Sequence, residues 1–243
     1  MVNVTPDTGP TPAPLSLPAR VVGVLTSPGA TFRSIVAHPR WLWVLLLTAV
    51  VAAVFTALPL TTEGGQQAAI DQNVKGMEAF GMEVTDEAYA GMQRSARMMP
   101  YMTAGSVLVM VPIITVVIAA ILFGLFAIMG GGATFKQMFA VYVHAGVIST
   151  VGSVFTGTLN YFREAMTSAT NLTVLLPMLE EGSFLARLSG FVDLFAIWWL
   201  IVLAIGLGVL YRKRTQSVAI TLFSIYAVIA LSVAGVMSML GGS

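Results

Sequence analysis

Apolar residues fall in five long runs, 41–60, 104–129, 138–159, 188–210 and 218–240, with nearly all charges confined between them. At 1.5 Å per residue, about 20 helical residues cross the roughly 30 Å hydrocarbon core of a bilayer, so each run is long enough to span it. The pattern predicts an all-α, polytopic membrane helical bundle with five transmembrane helices. The third run also carries His144, Ser149, Thr150, Ser153 and Thr156. A span with that many polar side chains is expected among the other helices rather than against lipid.

Ahead of the first run, Ser27 and Pro28 form a helix start, a hydroxyl cap followed by a proline preset for the first turn. Phe32, Ile35 and Val36 then share a face beside Arg33 and Ser34, and His38 and Pro39 end the element. This predicts a short interfacial amphipathic helix, with Arg20, Arg33 and Arg40 turned toward anionic headgroups. The competing reading is a helix packed on the bundle. Residues 1–19 hold Pro6, Pro10, Pro12, Pro14 and Pro18, which neither propagate a helix nor bury a core, so they are expected to form a disordered cytoplasmic tail before a membrane domain over 20–243. No charged start runs directly into an apolar stretch, so the first span is expected to be an uncleaved anchor.

Composition narrows the class. Hydrophobic residues make up 57% of the 243 and charged residues 9%, far below the roughly one quarter usual in soluble domains. Net charge is +1, which offers no concentrated basic footprint for nucleic acid. The absence of cysteine removes disulfides, thiolate catalysis and cysteine-ligated metals, and no cofactor is expected.

The charges are also unevenly divided. With the N-terminus in the cytoplasm, Arg20, Arg33, Arg40, Lys136, Arg212, Lys213 and Arg214 lie inside with Asp7 alone among acids. The opposite face receives Lys75, Arg94, Arg97, Arg163 and Arg187 against nine acids. The short turn containing Arg212, Lys213 and Arg214 weighs most in such a count, so the C-terminus is expected outside. Of the two long outer connections, 61–103 reads as two amphipathic helices broken at Gly81, with Thr85 capping the second and Tyr89, Met92 and Ala96 on one face. In 160–187, the apolar stretch 172–179 contains Pro177, is too short to span, and is expected to dip into the interface.

Three patterns in this order, SPGATFRSIVAHPRWLW (27–43), GGGATFKQMFAVYVHA (130–145) and VDLFAIWWLIVLAIGLG (192–208), make residues 25–240 resemble the Yip-domain family of small integral membrane proteins. The resemblance implies a five-span fold with a cytoplasmic N-terminus and a very short C-terminus on the other side. Eukaryotic relatives are linked to Rab-type small GTPases, vesicle trafficking and membrane shaping. This composition looks like that of a bacterial member, for which Rab partners are not implied and the family label speaks to fold more than activity.

Candidate chemistry is sparse. Asp193 is the one acid within a run, about five residues and thus about 7 to 8 Å into it. It is either a structural cap or bond to a neighbouring helix, or part of an ion or proton path. His144 lies roughly 9 Å deep from the other face, so about 13 Å separates the two along the normal and a direct dyad is disfavoured. A buried, hydrogen-bonded histidine is the simpler reading. Ala145, Ser149, Ser153 and Gly157 recur every fourth residue as a helix-packing ridge, inside the bundle or between protomers. Gly130, Gly131 and Gly132 lack the strand and the GK[ST] ending of a phosphate loop and read as a turn. Trp198 and Trp199 read as packing residues, and Asn171–Leu172–Thr173 as a glycosylation sequon where the host glycosylates.

The expected function is a non-enzymatic integral membrane scaffold or interaction protein of a bacterial cytoplasmic membrane. It would contact lipids, a protein partner or a second copy of itself through Arg20, Arg33, Arg40, Arg212, Lys213 and Arg214. The alternative is a small-solute or ion transporter using Asp193 and His144, against which stand the absence of an inverted repeat and the few polar groups. An intramembrane hydrolase ranks third, for want of a nucleophile motif or ligand cluster.

Overall fold

The computed structural model describes residues 13–240 apart from positions 177 and 181. Ten α-helices are found there, α1 (Leu17–Thr26), α2 (Pro28–Ala37), α3 (Leu42–Ala57), α4 (Glu63–Ala79), α5 (Asp86–Ser95), α6 (Met99–Ile128), α7 (Phe135–Arg163), α8 (Phe184–Phe191), α9 (Leu194–Tyr211) and α10 (Thr215–Leu240). Five of them, α3, α6, α7, α9 and α10, are long and apolar enough to cross a membrane. Among the described residues the only strand-like pairing is one isolated bridge between Asn171 and Asp193.

The helix starts follow the cap chemistry of the sequence. Ser16 accepts from the Ala19 amide with Pro18 in the first turn of α1. Residues 17–19 are therefore helical rather than part of the expected tail, and residues 1–12 lie outside the described residues. Thr85 caps α5, and Thr134 and Gln137 close a reciprocal capping box at the start of α7. Gly81, at φ 72°, reverses the chain between α4 and α5 in a region most side chains avoid. The Gln67 amide donates to the Tyr89 hydroxyl at 2.8 Å to hold that pair together.

α7 lies at the centre. Of its most apolar stretch 61% is buried, against 17% for α6 and for α10, so the most polar of the five spans is also the most enclosed, as expected. Met138, Ala140, Val141, His144, Ala145 and Ile148 have no exposed surface. Glycines set the closest approaches. A Cβ on Gly157 would sit 2.8 Å from the Phe55 carbonyl carbon of α3, and one on Gly152 would sit 2.9 Å from the Phe195 ring of α9. α6 and α10 form the lipid-facing flank, with Val109, Ile121 and Val228 all more than half exposed.

The amphipathic segment before the first span is two helices, and both pack on the bundle. Phe32 and Ile35 are 0% and 1% exposed. Gly206 of α9 makes room for Phe32, since a Cβ there would lie 2.7 Å from Val141 and 3.0 Å from the Phe32 ring. This docking gathers α2, the α6–α7 connection and the α9–α10 turn at one end. Gln137 donates to the Val36 carbonyl at 3.2 Å, Lys213 to the Met129 carbonyl at 3.3 Å, and Tyr211 stacks on Phe126 at 4.8 Å. The opposite end carries α4, α5, α8 and the described residues between α7 and α8.

The fourth apolar run is not one helix. It divides into α8 and α9 at Val192 and Asp193, because Asp193 adopts an extended backbone and caps α9. The 18 residues of α9 still measure about 27 Å at 1.5 Å each, close to the hydrocarbon thickness.

Candidate functional site

Two groups of polar residues stand out, one at each end of the bundle. At the end built from α2 and the two short connections, Arg33, Arg40, Lys136, Arg212 and Arg214 are exposed and Lys213 is half-buried. No acid lies in α1, α2 or either connection. Arg20 departs from the expectation that it faces lipid headgroups. It is 6% exposed and points inward.

The reason lies in its partners. His144, at 0% exposure on α7, has Nδ1 2.7 Å from the Ala140 carbonyl oxygen. A carbonyl only accepts, so Nδ1 carries the proton and Nε2 presents its lone pair. Arg20 Nη1 lies 3.3 Å from that Nε2 and donates to it, and the same Nη1 donates to the Arg40 carbonyl. Burial first, and the neighbouring Arg40 charge second, push the Arg20 pKa down from its ordinary value, although an arginine keeps its proton under any ordinary condition. Arg20 Nε is buried without a partner. The contact ties α1 to the central helix and to the chain entering α3.

At the other end Asp193 is a structural cap. Its Oδ1 accepts from the Phe195 and Ala196 amides at 2.9 and 3.0 Å, and its Oδ2 accepts from the Thr170 hydroxyl. Backbone bonds from Leu172 to Val192 and from Leu194 to Thr170 lay residues 170–172 beside this helix start. Asn171 is half-buried and held in the bridge, with its Oδ1 buried.

Asp193 and His144 do not meet. Asp193 lines a cavity of about 370 Å³ with Thr170, Trp199 and Tyr226, whereas His144 faces α1. The ridge of small residues also behaves differently along its length. Ala145 and Gly157 are buried, but Ser149 is exposed and Ser153 half-buried. These two serines open onto a second cavity of about 340 Å³ between α3, α6, α7 and α9. The contact with α9 is made one step out of register, by Gly152 against Phe195. Trp199 lines both cavities, and its ring meets that of Tyr142 in a T-shaped contact with centroids 5.8 Å apart. Among the described residues no group of three or more His, Asp or Glu is placed to hold a metal ion.

The model of one family, the Yip1 domain, matches residues 22–237. The chain belongs to the Yip1 domain family. A relative of this Yip1 domain is a protein of Bacillus subtilis (strain 168) described as membrane protein YknW, 28% identical over 217 residues that cover 86% of this chain and 87% of the relative. No solved structure matches the chain. The match begins within α1 and ends within α10, so α2 lies wholly inside the matched region and Arg20 just before it.

Sequence reasoning missed the Arg20–His144 contact, whose residues are 124 positions apart. No local signal joins them. It also missed the break before α9, for which a signal was present, since an aspartate directly before an apolar run is a helix start.

Proposed function

We propose that this Yip1 domain is a non-enzymatic membrane scaffold of a bacterial cytoplasmic membrane, whose basic end recruits an acidic protein surface or anionic lipid. The observation that carries this reading is the charge division along the bundle axis. Arg33, Arg40, Lys136, Arg212 and Arg214 are exposed at one end, and the acids of α4 and α5 lie at the other. Such a division favours the basic end in the cytoplasm, with α1 on that side and the C-terminus opposite. Flexible exposed arginines attract acidic surfaces at low cost in stability and leave the docked faces of α1 and α2 undisturbed. The full chain, cross-linked in native membranes, is expected to capture a partner that Arg33→Gln, Arg40→Gln, Arg212→Gln and Arg214→Gln together release. Capture and preference for anionic vesicles that are both unchanged in this variant would overturn the proposal.

A further inference from the structure

At the opposite end, Asp193 stands in a cavity of about 370 Å³, within the size range of small-molecule sites, ~300–1,000 Å³. Its carboxylate is reached by three donors, the amides of Phe195 and Ala196 and the hydroxyl of Thr170, and all three are neutral. A carboxylate has about four acceptor positions, so these bonds orient it without cancelling its charge. Phe195, Trp199 and Tyr226 supply the aromatic part of the lining, beside the hydroxyls of Ser149, Thr156 and Ser168 and the small residues Gly152 and Ala196. Two of the rings are fixed from outside the cavity. Tyr226 donates to the Phe191 carbonyl at 2.8 Å, and Trp199 makes a T-shaped contact with Tyr142.

A fixed negative charge beside aromatic rings is the chemistry that holds an organic cation, through the carboxylate and the ring quadrupoles. An anion would meet the aspartate, and the three aromatic rings favour an organic over an inorganic cation. The cavity lies beside the N-terminal end of α9, at the end of the bundle opposite the basic residues. We propose that it binds an ammonium group, such as the amine of a phosphatidylethanolamine headgroup or of a free small amine. This site is separate from the basic end and does not depend on the scaffold reading.

The test uses the purified full chain in detergent, titrated with phosphatidylethanolamine or phosphatidylglycerol, with bound lipid counted by native mass spectrometry. The amine lipid is expected to bind about tenfold tighter than the glycerol lipid. Asp193→Asn should erase that difference while melting like the parent, because asparagine caps a helix as well as aspartate. Trp199→Leu, remote from the cap, should weaken the preference several-fold. Ethanolamine is then added as a competitor. Displacement of the lipid by ethanolamine identifies a site for small amines, and retention of the lipid identifies a headgroup site. Binding of ethanolamine alone, lost in Asp193→Asn, also supports the proposal. Equal binding of the two lipids without saturable ethanolamine binding overturns it, as does a preference that Asp193→Asn leaves intact. Should that variant not fold, an unchanged preference in Trp199→Leu overturns it instead.

Discussion

Replacing Arg20 with alanine removes a buried cation that joins α1, α7 and the chain entering α3. Its Nη1 donates both to His144 Nε2 and to the Arg40 carbonyl, and hydrogen bonds to charged groups contribute about 1.5–3 kcal/mol each. The variant also strands His144 Nε2, a buried acceptor with a cost of about 1–3 kcal/mol of its own. Against these losses stands the recovered desolvation of the guanidinium, whose Nε has no partner. The net expectation is a destabilisation of about 2–4 kcal/mol. His144→Ala opens a cavity and releases the same bond, so the double variant should cost less than the two single ones added. The coupling should be at least about 1 kcal/mol, measured by reversible unfolding in mixed micelles. Arg40→Gln serves as the control, because only the Arg40 backbone accepts from Arg20 and the variant lifts a repulsive charge. It should not lower stability. Costs of Arg20→Ala and His144→Ala that add to within about 0.5 kcal/mol would refute the contact as a source of stability.

Other outcomes are expected. Gly157→Ala forces a methyl into the Phe55 backbone of α3 and should cost about 1–3 kcal/mol in the same assay. Asp193→Ala should destabilise by about 1 kcal/mol or more through loss of the α9 cap, whereas Asp193→Asn should stay within a few tenths of the parent. Tyr226→Phe loses the bond to the Phe191 carbonyl, at about 1 kcal/mol by thermal unfolding. The chain has no cysteine, so single cysteines at Ser217 and Ser168 can be labelled from either side of sealed vesicles. Ser217 should react from the cytoplasmic face and Ser168 from the other, and the reverse result would invert the proposed orientation.

The five spans were legible because hydropathy over about 20 residues is a property of the solvent the segment must occupy, and it needs no partner. The burial of α7 was legible for a related reason, since serine, threonine and histidine inside a span have few places other than the bundle interior. α1 was obscured by its surroundings. Ser16 followed by Leu17 and Pro18 carries the same start signal as Ser27 and Pro28, but the prolines before it suggested an unbroken tail. Arg20 was misplaced because a basic residue near a span reads as a headgroup contact by default. Only the docking of α1 on α7 reverses that. The candidate amine site was half legible, as Asp193 drew attention at once, but the aromatic walls come from α9 and α10 and the third donor from residue 170.

The bond between Arg20 and His144 also constrains the order of biogenesis. The arginine leaves the ribosome 124 residues ahead of its histidine, so it must wait, uncommitted, while two complete membrane passes are threaded and a third begins. Closure of the N-terminal helices over the bundle is thereby a late event. A nascent chain arrested before residue 144 would still hold that guanidinium unlatched.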